Sequence, residues 1–126
     1  MTQEEKQLLI QDICSRLPYK PILINKNLNG GYPQKCFSGY IGFGQYIDSS
    51  KIEDTKIYLR PLNSMTKEET NEYLSECDKD NLDVLSVPHY HGIDWLNKKM
   101  FDYRGLIPMG LAIEAPGDMY QTTQEK

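Results

Sequence analysis

No apolar run in this chain approaches the roughly 18 residues that a membrane span needs. The opening, Met1-Thr2-Gln3-Glu4-Glu5, is acidic and lacks the basic and apolar regions of a secretory signal. Both absences point to a cytoplasmic protein with no membrane partner. Cysteine is sparse: Cys14, Cys36 and Cys77 are odd in number and widely spaced, forming neither a C-x-x-C zinc pattern nor a paired framework. Free thiols in a reducing compartment follow from that count. An excess of basic residues is also missing. The formal charge of −4 argues against a general nucleic-acid coat, which needs a strongly basic face, and leaves room only for a local basic patch. G-x-S-x-G, S-x-x-K and H-E-x-x-H do not occur, so no nucleophile elbow, acyl-serine or zincin signature is written into the chain. There is no internal repeat and no low-complexity segment. Phe and Trp are scarce, at three and one, against nine Tyr. Tyrosine has an apolar body and a polar tip, which suits strand surfaces and half-buried positions first and binding surfaces second.

What is present reads as one α+β domain over residues 1–126, a length that buries a core without disulfide or metal staples. Residues 1–17 form an N-terminal helix. Thr2-x-x-Glu5 is a capping box, Ile10, Ile13, Cys14 and Leu17 make one apolar stripe, and Pro18 stops it. Residues 21–60 are β-rich, with strand-like pieces at 22–24, 34–43, 45–48 and 55–60. Turn residues and interior glycines separate and bend them, which predicts a small curled antiparallel sheet or an SH3-like barrel. Residues 66–115 are helix-rich. A second capping box at Thr66-x-x-Glu69 opens an acidic helix, and 78–81 reads as a polar linker before a strand over 82–87. Ile93, Leu96, Met100 and Tyr103 then mark a helix ended by Gly105, and Gly110 to Ile113 form a closing strand. Residues 116–126 read as a frayed tail.

Three patterns carry chemical interest. His89-Tyr90-His91 places two imidazoles on one side of an extended backbone, the minimum of a metal site, although a loop between Pro88 and Gly92 explains it as well. Gly39-x-x-Gly42-x-Gly44 has the wrong spacing for a dinucleotide fingerprint and reads as strand curvature. The densest constellation runs from Trp95 to Arg104. It gathers Trp95, Lys98, Lys99, Phe101, Tyr103 and Arg104 in one helix and its cap. Aromatic faces and guanidinium groups stack on bases, and lysines meet phosphates. The plain alternative is that Trp95 and Phe101 complete the core while the lysines are solvated. Arg60, at the end of a strand, is a further cation placed to face a ligand.

Ser15-Arg16-Leu17-Pro18-Tyr19, the run Tyr58-Leu59-Arg60-Pro61-Leu62-Asn63-Ser64-Met65-Thr66-Lys67-Glu68-Glu69, Ile93-Asp94-Trp95-Leu96-Asn97 and Phe101-Asp102-Tyr103-Arg104-Gly105-Leu106-Ile107 to Glu114-Ala115-Pro116 together resemble a family of small uncharacterised phage and prophage proteins of gut Bacteroidales bacteria. Lys98-Lys99-Met100 departs from that family's pattern, in which Ala and His precede Phe-Asp-Tyr-Arg. The resemblance implies a phage-type accessory protein in the cytoplasm of a bacterial host. Such a protein acts by binding, without a cofactor, and antagonises host defence by sequestering a nucleotide-derived signal or by masking a host protein. The expected ligand residues are Trp95, Lys98, Lys99, Tyr103, Arg104, Arg60 and His91. One alternative is a nucleic-acid module that uses Tyr40, Phe43, Tyr46 and Tyr58 as a stacking platform. Another is a small enzyme built on His89 and His91. Sheet edges of this size also favour a homo-oligomer.

Overall fold

The computed structural model describes residues 1–36, 44–47, 49–82, 90–117 and 119–120. Helix α1 spans Gln3–Arg16 and opens on the expected capping box: Thr2 Oγ1 accepts from Glu5 N–H at 3.0 Å, and Glu5 Oε1 accepts from Thr2 N–H at 2.9 Å. Strands β1 (Ile22–Asn25) and β2 (Gln34–Lys35) follow, then two helical turns, α2 (Gly44–Ile47) and α3 (Ser49–Ile52). Strand β3 covers Thr55–Leu59. Helices α4 (Lys67–Leu82), α5 (Tyr90–Lys98) and α6 (Leu106–Met109) lead to β4 (Ala112–Glu114).

The strands form one sheet in the order β2-β1-β3-β4. β1 pairs antiparallel with β2 and β3, whereas β4 lies parallel to β3, with Ile57 opposite Ala112 and Leu59 opposite Glu114. The α+β expectation holds, but the sheet is mixed and open rather than antiparallel throughout or closed into a barrel. The reason is connectivity. Parallel neighbours need a long crossover, and α4 to α6 supply it between β3 and β4.

Alternation along β3 buries Thr55, Ile57 and Leu59 on one face. Ile57 and Leu59 meet Leu9 and Ile13 of α1, Leu23, Ile52, Met100, Leu106 and Leu111 in the main core. A smaller cluster, Trp95, Leu96 and Phe101 with Tyr73 and Met65 against it, joins α4 and α5 beside the main core.

Several sequence expectations shift. The α1 stripe keeps its spacing but starts one residue earlier: Leu9, Asp12, Ile13 and Arg16 are the buried residues, and Cys14 is exposed. Two charged residues on the buried face conceal that stripe from a hydrophobicity reading. Gln45, Tyr46 and Ile47, expected in a strand, lie in α2, where the Tyr46 ring is buried. Residues 78–81 belong to α4 instead of a linker. The expected strand pieces at 37–43, Asp48 and 83–87 lie outside the described residues, as do Gly39 and Gly42 of the glycine pattern.

Helix α5 ends before Gly105, at a residue that gives no glycine signal. Phe101 N–H donates to Leu96 O at 3.0 Å and Met100 N–H to Asn97 O at 3.2 Å. This 6→1 and 5→2 pair is a Schellman motif with Met100 at its left-handed position, φ 64°. Its side chain is 2% exposed. Burial of about 1.5–3 kcal/mol outweighs the left-handed penalty of about 1–2 kcal/mol. Gly105 serves the next element instead, taking φ 77° ahead of α6.

Candidate functional site

The buried face of α1 builds an ionic cluster. Asp12 and Arg16 lie one turn apart, and both side chains are fully buried. Arg16 Nε and Nη2 donate to the two Asp12 carboxylate oxygens, each at 3.0 Å, a bidentate pair. Arg16 Nη2 also reaches Phe101 O at 2.8 Å, and Nη1 lies 3.4 Å from Leu96 O. Those carbonyls flank the C-terminal end of α5, where a cation is favoured by the helix dipole. Arg16 therefore ties α1 to the α5 terminus.

A second guanidinium enters the same cluster. Arg104 Nη1 donates to Asp12 Oδ1 at 2.6 Å and to Ser15 Oγ at 3.3 Å. Two cations thus share one carboxylate, leaving the trio with a net charge of +1. Both guanidiniums lie over the Tyr103 ring, Arg16 at 5.2 Å and Arg104 at 4.6 Å from its centroid. Tyr103 is fixed from its other end, because its hydroxyl donates to Asn97 Oδ1 at 2.8 Å, which also lies 3.2 Å from Ser15 Oγ. The Arg104 side chain stays 19% exposed. Among the described residues its Nε and Nη2 meet no protein acceptor. They form the side-on fork of the guanidinium, the edge with which Arg16 holds Asp12.

The sequence constellation from Trp95 to Arg104 is therefore divided between two sides of α5. Tyr103 and Arg104 face α1. Trp95, Lys98 and Lys99 face α4, where with Glu72, Ser75 and Glu76 they line an open groove of about 320 Å³. Trp95 is 7% exposed, stacks with Phe101 at 5.7 Å and donates from Nε1 to Glu72 Oε1 at 3.2 Å. Its ring is core, as the plain reading of the sequence has it. Lys99 Nζ lies 3.8 Å from Glu72 and 6.0 Å from the Trp95 centroid, while Lys98 is exposed.

Arg60 is occupied by the fold. Its Nη1 and Nη2 each donate to Glu69 at 2.8 Å, and its guanidinium lies 4.2 Å from the Phe101 ring centroid. Chiefly for that reason, with help from Thr66 and against partial burial, the Glu69 carboxyl is held below the usual carboxylate range. His91 is half-buried in the first turn of α5 and is not a free side chain. His89 lies outside the described residues, and among those described no three His, Cys, Asp or Glu side chains gather as a metal site. Of the stacking platform, Tyr46 is buried and Tyr58 half-buried, while Tyr40 and Phe43 lie outside the described residues. Burial, with a smaller contribution from Cys14, pushes the Cys36 thiol up to about 11, the opposite of what an activated nucleophile needs.

Asp12, Ser15, Arg16 and Asn97 are the members that sequence reasoning misses. The signal for the first pair is an acid and a base at i, i+4 beside an apolar stripe, a pattern that more often marks a solvated face. Comparison with protein-family models, curated proteins and solved structures gives no match to this chain.

Proposed function

We propose that this protein is a non-enzymatic binding module of the phage accessory kind, which sequesters a nucleotide-derived anion at the Tyr103–Arg104 face. One observation carries the reading: Arg104 is held in place by Asp12 and Ser15 through a single nitrogen, with its Nε/Nη2 fork free of acceptors among the described residues. A preorganised fork matches the oxygens of a phosphate and loses little side-chain entropy on binding. The surplus positive charge of the trio favours an anion. Trp95 has no part in contacting the ligand. The lysines of the α4 side lie apart from this face and carry no share of the proposal.

The exposed side of α4 favours a companion form of the same reading, masking of a host protein. Leu74 is 55% exposed there, one turn along the helix from the exposed Thr70 and Asn71. The test of the first form is native mass spectrometry of the protein purified from the cells that express it, followed by denaturation. A nucleotide-like mass released in stoichiometric amount is the expected result. A ligand-free spectrum contradicts sequestration and leaves the protein-masking form, to be pursued by pull-down from host lysate.

A further inference from the structure

The antiparallel ladder between β1 and β3 pairs Asn25 with Thr55, Ile24 with Lys56 and Leu23 with Ile57. Continuing that register by one residue sets Ile22 opposite Tyr58. At this place a side chain stands between the two backbones. Ile22 N–H donates to Tyr120 Oη at 2.8 Å, and the Tyr120 hydroxyl donates to Tyr58 O at 2.8 Å. The phenol does what a bridging water does in an opened sheet, and it comes from beyond the last strand.

Other features fix this arrangement. Tyr120 packs against the main core. A turn in which Met119 N–H donates to Pro116 O at 3.0 Å precedes it, and Ala115 N–H donates to Leu59 O at 2.8 Å where β4 leaves β3. Burial, the leading cause, pushes the phenol well above its usual range, so the hydroxyl keeps the proton that Tyr58 O requires. Arg16 and Asp12 act on the same phenol with opposite signs, which puts it within electrostatic range of the ionic cluster.

We propose that Tyr120 is a latch, inserted between β1 and β3, that holds the end of their ladder apart. The element has two states. With the phenol in place, the Ile22 amide is protected by a side chain. With the Tyr120 hydroxyl withdrawn, the same amide meets water. The expected frayed tail is therefore, at Tyr120, a working part of the sheet. Local opening of this kind belongs to the low-stability end of a native protein's fluctuations.

Amide hydrogen exchange of Tyr120→Phe by NMR tests the latch. The substitution keeps the ring and removes only the bridging oxygen, so the core remains filled. Exchange at Ile22 is expected to rise by about tenfold, the scale of one lost hydrogen bond, while the Ile13 amide in α1 keeps its rate. An unchanged rate at Ile22 overturns the proposal. Equal acceleration at Ile22 and Ile13 overturns it as well, because Tyr120 would then contribute only to global stability.

Discussion

Arg16 holds more of this molecule together than any other single charged side chain described, and it does so without touching solvent. It satisfies Asp12, caps the α5 terminus through two carbonyls and lies over Tyr103. Removing one member of a buried pair strands the other charge, at a cost of about 3–5 kcal/mol. Arg16→Met is expected to lose that much stability in urea denaturation, with Arg104 left as the only cation on Asp12. The double change Asp12→Leu with Arg16→Met is expected to cost less than the single one, since no carboxylate then remains buried without its bidentate partner. A double variant as unstable as the sum of its parts would mean that the pair acts through packing and not through charge. At this scale the sequence is least legible. A charged residue on a helix is normally solvated, so Asp12 and Arg16 look like surface until α5 and Arg104 are set against them. Trp95 is a different case: a single Trp beside lysines reads as binding surface or as core, and the neighbouring Phe101 and Tyr73 rings decide for core.

The elements were easier to read wherever a local rule decides them. Both capping boxes form, at Thr2/Glu5 and at Thr66/Glu69, where Glu69 Oε1 accepts from Thr66 N–H at 3.0 Å and Thr66 Oγ1 from Glu69 N–H at 3.1 Å. The C-terminal end of α5 escapes the glycine rule because its left-handed residue is Met100, a choice made by the tertiary core and not by backbone preference. Met100→Gly separates the two contributions. It relieves about 1–2 kcal/mol of left-handed strain and forfeits the burial of a core methionine, about 2–5 kcal/mol for truncation to alanine. A net destabilisation of roughly 1–3 kcal/mol in chemical denaturation is expected from those two principles. A more stable glycine variant would show that strain, and not packing, dominates that turn. The α2 turn makes the same point in the other direction: Tyr46 has strand propensity, yet its ring is buried in the core from a helical turn.

For the whole molecule, composition and period were enough to give an α+β chain with an N-terminal helix. The order and direction of strands were not in reach. β4 was visible as an apolar piece, but nothing local to Ala112–Glu114 says that it returns parallel to β3 after three helices. The candidate site had a similar fate. Tyr103 and Arg104 stand side by side in the sequence, while Asp12 of α1 lies 92 positions before Arg104. The Nε/Nη2 fork of Arg104, free of acceptors among the described residues, carries the assignment, and equilibrium binding by calorimetry tests it most directly. The wild type and Arg104→Gln are titrated with a panel of nucleoside phosphates and cyclic dinucleotides. Asp12 keeps its bidentate bond to Arg16 in the variant, so thermal melting should stay within about 1 kcal/mol of wild type, the scale of a partly exposed ion pair. Affinity for whichever panel member binds the wild type should fall by at least about tenfold, as expected for loss of a charge-assisted fork. Equal affinity of the two proteins, with both folded, would contradict the assignment of this face.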